Sequence, residues 1–166
     1  MSQAKIELLV EQLKMARYQT LKLADEIPED RRLYQLKEGK ATPLWLMGHL
    51  ANTLNTICIM WMFNEESMIG KENVRLFAPD FARGTPPSTD ASMYPAWDEV
   101  KALYKDAMTA VIQRVEQLTD DQLPNPMSDK TPEPLRAYFS SIGASLNIMV
   151  SHDAHHRGQM ALIAKL

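Results

Sequence analysis

The sequence predicts an all-α protein, a four-helix bundle. Three observations carry that expectation. Four long segments repeat apolar residues on three- and four-residue steps, no segment alternates as a half-buried strand would, and the prolines fall between the periodic segments. Of ten prolines, four lie between Pro79 and Pro95 and four between Pro124 and Pro134. Proline lacks an amide donor and clashes inside a helix, so these clusters mark connections. Pro28 and Pro43 bracket a third connection.

The first helix is expected from about Ala4 to Ile27. Ile6, Leu9, Leu13, Ala16, Leu23 and Ile27 form its apolar stripe, and Pro28 stops it. The second is expected to start at Thr42, a suitable N-cap, with Pro43 at the first helical position, where a missing N–H costs nothing. It should end between Phe63 and Ile69, with Gly70 as the stop. The third is expected from near Pro95 to near Leu118, on the stripe Trp97, Val100, Tyr104, Ala107, Val111, Val115 and Leu118. The fourth should start between Thr131 and Leu135 and run toward the C-terminus, with Leu135, Tyr138, Ile142, Met149 and Ile163 facing inward. The connection over residues 70–94 is long enough for a crossover or a partly ordered cover.

Composition narrows the class of function. A chain of 166 residues with 45% hydrophobic and 23% charged side chains suits one soluble globular domain over 1–166. The net charge of −3 argues against nucleic acid as a partner, because neutralising phosphates needs a basic surface. The longest apolar run, Ile57 to Phe63, is far short of the roughly 20 residues of a membrane span, so no membrane role is expected. Cys58 is the one cysteine, which excludes an internal disulfide and fits a reducing compartment. The start, Met1-Ser2-Gln3-Ala4-Lys5, is not followed by an apolar signal core, and a cytoplasmic location is expected.

The chemistry lies in the histidines. There are four, His49, His152, His155 and His156, and three of them sit within five residues. On a helix, His152 and His156 lie about 40° apart and one turn above each other, so both imidazoles can reach one ion at roughly 2.0–2.1 Å. His155 competes as the partner of His152, but the stripe through Met149, His152, His156 and Ile163 favours His156. The ten residues after His156 contain no His, Cys, Asp or Glu, so a third ligand must come from elsewhere. His49 remains, on a second inward stripe with Leu46, Leu50, Thr53, Ile57 and Met60. Spacing alone leaves two readings open, a metal pair or histidines with no ligand. Cys58 falls about 180° around the helix from His49 and reads as a small buried hydrophobe.

Other chemistries fit less well. His152-Asp153-Ala154-His155-His156 also reads as H-D-x-x-H, one methylene short of the zinc-protease H-E-x-x-H, but no third ligand follows it. Glu-x-x-His motifs of di-iron bundles are absent, since residue 149 is Met and residue 46 is Leu. Phosphate-binding and dinucleotide glycine motifs are absent too.

The segment His152-Asp153-Ala154-His155-His156-Arg157-Gly158-Gln159 resembles the H-x-x-x-H-R-G-Q signature of the DinB/YfiT-like superfamily. Pro43-Leu44-Trp45-Leu46-Met47-Gly48-His49-Leu50 is similar to the second-helix segment of that family, which carries its first histidine. The resemblance implies a four-helix bundle holding a divalent metal, often nickel or zinc, on three histidines: His49, His152 and His156. It also implies a homodimer. Characterised relatives are thiol S-transferases that use low-molecular-weight thiols, a thiol-dependent isomerase and a metal-dependent hydrolase. The implied function is a metal- and thiol-dependent transferase acting on a small electrophilic substrate. The alternatives are a metal-dependent hydrolase or a non-catalytic metal-binding stress-response bundle.

Around that site, Asn52, Thr53 and Thr56 follow His49 at three, four and seven residues and are candidates to line a pocket. Gln159 is placed to hydrogen-bond an imidazole or a bound water. Trp45, one turn before His49, is a candidate pocket wall. Arg157 reads as one half of an interhelical or surface ion pair. Asp153 reads either as a group that orients a histidine or acts as a base, or as solvated helix surface.

Overall fold

The computed structural model describes residues 3–166, so Met1 and Ser2 of the N-terminal segment lie outside the described residues. Among these residues the secondary structure is helical throughout. The long helices are α1 (Ala4–Glu26), α2 (Pro43–Thr53), which continues without a break as a π-helix over Leu54–Met62, α4 (Trp97–Val115) and α5 (Ile142–Ala164). A short helix, α3 (Gly70–Leu76), lies in the crossover between α2 and α4. Packing runs in a ring, with α1 against α5, α5 against α2, α2 against α4 and α4 against α1. Among the described residues, no helix is long and apolar enough to cross a membrane.

The helix ends follow from local chemistry. Thr42 caps α2 by accepting from the Trp45 amide at 3.2 Å, with Pro43 in the first turn as expected. The start of α1 has no cap of its own. Instead the Asp120 carboxylate accepts from the amides of Lys5 and Ile6 at 3.2 and 3.0 Å, which satisfies two of the donors a helix start leaves free.

Two boundaries differ from the sequence reading. The second helix stops at Met62, and the stop is Asn64 rather than Gly70. Asn64 adopts the left-handed conformation at φ 57°, and the Phe63 and Glu65 amides turn back to the carbonyls of Cys58 and Ile59. Gly70, with φ 77°, opens α3 instead. The last helix begins at Ile142, not between Thr131 and Leu135. Glu133–Leu135 forms only a 3-10 turn, and Ser141, in extended backbone, caps α5 by accepting from the Ala144 amide. The amides of Ile142 and Gly143 pair with the carbonyls of Asn125 and Leu123, which fixes that start on the preceding turn. Tyr138 consequently lies outside α5 and is 63% exposed rather than inward.

The α2 segment sits at the centre. Every residue from Thr42 to Asn55 is buried, so α2 is enclosed on all sides rather than along one stripe. The π-helix that follows it is an unusual element that often accompanies functional sites.

Candidate metal centre

His49 is carried by the buried α2 and is 8% exposed. Its ring stacks on Trp45, one turn earlier, with centroids 4.8 Å apart and planes 10° apart. Both side chains reach the end of α3. Trp45 Nε1–H donates to the Leu76 carbonyl at 3.2 Å, and His49 Nδ1–H donates to the Phe77 carbonyl at 3.0 Å. These carbonyls are among those a helix leaves without internal partners at its C-terminus. Phe77 is itself held in place, stacked on Tyr94 and pressed against α2 at Gly48. A β-carbon at Gly48 would lie 2.3 Å from the Phe77 ring, so this close approach requires glycine.

His152 and His156 come from α5, one turn apart. His152 Nε2 lies 3.2 Å from His49 Nε2 and 3.1 Å from His156 Nε2. The three residues present ligand atoms all within 4.8 Å of one another. His156 Nδ1–H donates to Gln159 Oε1 at 2.6 Å.

The proton count shows what this cluster lacks. A carbonyl only accepts, so His49 carries its proton on Nδ1 and presents a bare Nε2 lone pair. His156, bonded through Nδ1 to an amide oxygen, does the same. His152 Nε2 faces both and has at most one proton to offer, so at least one lone pair faces inward with no donor of its own. A divalent cation would satisfy all three lone pairs. Nitrogens about 2.05 Å from a tetrahedral centre are ~3.3 Å apart, close to the 3.2 and 3.1 Å that separate His152 Nε2 from His49 and His156. The histidines therefore fit a divalent metal site. Burial pushes His49 down to about 4, with the charge of His156 adding to it. Burial pushes His152 down to about 3, with its three histidine neighbours adding to it. His156 is lowered too, again mainly by burial. All three are held in the neutral form that binds metal.

The other residues named from the sequence fall into place unevenly. Gln159 meets an imidazole. Thr53 does not face a ligand with its hydroxyl, which donates to the His49 carbonyl at 2.8 Å. Thr56 donates to Asn52 Oδ1 at 3.1 Å, so these two pair with each other on the turn after His49. His155 is exposed; its ring touches that of His156, and it takes no part in the three-nitrogen cluster. Cys58 is fully buried, and burial pushes its thiol up to about 12.

Asp153 corrects both sequence readings. It is 2% exposed, and its carboxylate meets no histidine. It accepts from Tyr104 Oη at 2.6 Å, Thr20 Oγ1 at 2.7 Å and Arg157 at 2.5 Å. Burial pushes its pKa up while these three donors hold it down. Arg157 does form an ion pair, but with a buried carboxylate on its own helix rather than between helices or at the surface.

Sequence reasoning missed Gly48, the Leu76 and Phe77 carbonyls, Thr20 and Tyr104. Two signals were present. A glycine inside a helix costs about 1 kcal/mol relative to alanine and asks for a packing reason. A tyrosine on an inner stripe needs a partner for its hydroxyl. Backbone carbonyls leave no signal in a sequence.

An open cleft of about 380 Å³ lies on the outer side of α5, lined by Tyr138, Asn147, Ile148, Ser151, His152 and His155. Of the three clustered histidines, His152 alone lines it. The family model for the DinB superfamily matches residues 12–160, a span that holds all three clustered histidines. No curated protein matches the sequence. The chain belongs to the DinB superfamily.

Proposed function

We propose that this DinB superfamily protein is a divalent-metal-dependent transferase that joins a low-molecular-weight thiol to a small electrophilic substrate. The carrying observation is the convergence of three neutral imidazoles with no fourth protein ligand among the described residues. Three ligands leave a position open, as catalytic rather than structural sites do. An all-imidazole set suits zinc or nickel, the metals that the family resemblance implies. A bound divalent cation supplies one kind of chemistry here, deprotonation of a thiol or water at neutral pH.

The chain's own residues do the rest. Phe77 and Gln159 hold the Nδ1 protons of His49 and His156, which keeps their Nε2 atoms free to bind the ion. Trp45 covers one face of His49 and keeps water from it. The nucleophilic sulfur has to come from outside, because Cys58 is sealed and its thiol is protonated. The cleft beside His152 gives a small molecule a place to enter.

Two measurements test this reading. Elemental analysis of untagged protein should find about one zinc or nickel per chain, as a single three-histidine site requires. The loaded protein should consume a chromogenic aryl halide in the presence of a small thiol, and His49→Ala should abolish that turnover. Metal with no thiol-dependent turnover, but with hydrolysis of activated esters or amides, would replace the transferase by a hydrolase. Absence of metal after reloading with zinc, nickel and manganese would sink both.

A further inference from the structure

The buried Asp153 has no part in the reading above, yet it lies between the two histidines that α5 contributes. Among the described residues, the side-chain hydrogen bonds from α5 to other helices come only from Asp153, Arg157 and His152. Asp153 joins three helices. Thr20 belongs to α1, Tyr104 to α4 and Arg157 to α5, and Arg157 also donates to Thr20 Oγ1 at 3.3 Å. Tyr104 is fully buried and reaches α5 from a helix that is not its neighbour in the ring. The other buried side chains of α5 are the apolar Leu146, Met149, Met160 and Ile163, and Ser145, whose hydroxyl donates back to the Ser141 carbonyl and not to another helix. Apolar packing is non-directional and tolerates small rotations, whereas a carboxylate held by three charge-assisted bonds does not.

We propose that Asp153 is a positioning residue, which locks the rotation of α5 so that His152 and His156 present Nε2 to the same point as His49. This inference rests on the metal-site reading. On the helix, Asp153 is about 100° from His152 and about 60° from His156. Rotating α5 by about 10° moves an atom ~6 Å from the axis by ~1 Å, several times the ~0.2 Å latitude of a metal–ligand distance. Any loosening of the lock is therefore read out at the metal. The two functions occupy two sides of one helix turn, the lock toward α1 and α4, the ligands toward α2.

The test is zinc affinity, measured by competition with a chromogenic chelator, for Asp153→Asn, Tyr104→Phe and Thr20→Val. Val115→Ala, in the apolar core three turns along α4 from Tyr104, serves as a control that destabilises away from the lock. Asp153→Asn is expected to bind zinc about tenfold or more weakly, because a ~1 Å displacement of two ligands exceeds the ~0.2 Å latitude of the site and disturbed ligand positioning costs about 10- to 100-fold. The other two should fall between it and the unaltered protein, and Val115→Ala should bind normally. The visible spectrum of the cobalt-loaded protein should shift in the lock variants alone. If Asp153→Asn fails to fold, Tyr104→Phe and Thr20→Val carry the same measurement. Folded variants with unaltered zinc affinity and cobalt spectrum would overturn the proposal. A second readout needs no metal: the imidazole NMR signals of His152 and His156 in chelator-treated protein should shift and broaden in Asp153→Asn. If the unaltered protein takes no metal, the proposed function fails, and unchanged imidazole signals in Asp153→Asn would then overturn the positioning role separately.

Discussion

The two mounts of the histidine cluster are built in opposite ways. His49 is set in a helix buried on every side, clamped between the Trp45 ring and the Phe77 carbonyl. The partner atom is backbone, and it sits where neither water nor another side chain can replace it. His152 and His156 ride on a helix with one exposed side, and His156 is oriented by Gln159, itself exposed. There the partner is a side chain that water can imitate. The difference assigns the two mounts different duties. The α2 mount fixes a reference nitrogen, and α5, its rotation held by Asp153, brings to it two ligands whose rings, unlike that of His49, are not clamped by a backbone carbonyl. A site that must admit a substrate gains from this division, because access and rigidity are supplied by different helices.

The largest expected effects are at the α2 mount. His49→Ala removes the reference ligand, and the remaining pair should hold at least 100-fold less zinc at equal free metal. Gly48→Ala tests the mount without touching a ligand. Its β-carbon would meet the Phe77 ring at 2.3 Å, so Phe77 must move and take its carbonyl with it. Overpacking of this kind costs about 1–3 kcal/mol of stability, and loss of an outer partner weakens a metal site about 10- to 100-fold. Denaturant unfolding and metal competition measure the two separately. Normal affinity in Gly48→Ala would mean that the Phe77 carbonyl does not position His49.

The contrast also explains what could be read in advance. The α5 pair was legible because both ligands sit on one helix at a fixed spacing, and periodicity alone aligned them. The link to His49 was suggested by elimination, as the one remaining histidine on an inward stripe, and was fixed only through the resemblance, since two helices meet by packing and not by spacing. The mount of His49 was illegible because its parts are a glycine's missing side chain and two carbonyls, and the crossover carrying them gave no periodic pattern. Asp153 was misread for a related reason. Its position between two histidines suggested a histidine partner or solvent, whereas Thr20 and Tyr104 reach it from far along the chain. The helix ends that were misplaced, at Met62 and Ile142, depend on single residues, Asn64 and Ser141, that compete with ordinary-looking alternatives.

Acid should act on the cluster before it acts elsewhere. In the unfolded chain these imidazoles take protons near 6.5; in the folded, metal-free chain His49 resists until about 4 and His152 until about 3. Between those values the unfolded chain binds more protons, so stability falls as the pH falls through that window. Above about 6.5 both states are neutral and the histidines add no slope. The urea midpoint of chelator-treated protein should thus be level near neutrality and drop below pH 6.5, and His152→Gln should flatten the drop. A midpoint level down to pH 4 would contradict the burial of the pair. Zinc should be released over the acid range too, because protons compete for the same lone pairs.

The smallest effects belong to the exposed side of α5, and they show whether the two mounts truly differ. Gln159→Ala removes the partner of His156 Nδ1 where solvent can take its place. Zinc affinity should fall less than tenfold, and stability should stay within about 0.5 kcal/mol, as for most surface changes. His155→Ala should do less again, since His155 touches the ring of His156 but offers no atom to the cluster. Elemental analysis of both variants at limiting zinc makes the comparison with Gly48→Ala direct. If Gln159→Ala or His155→Ala weakened the site as much as Gly48→Ala, the rigid reference would lie on α5, and α2 would be the side that adjusts.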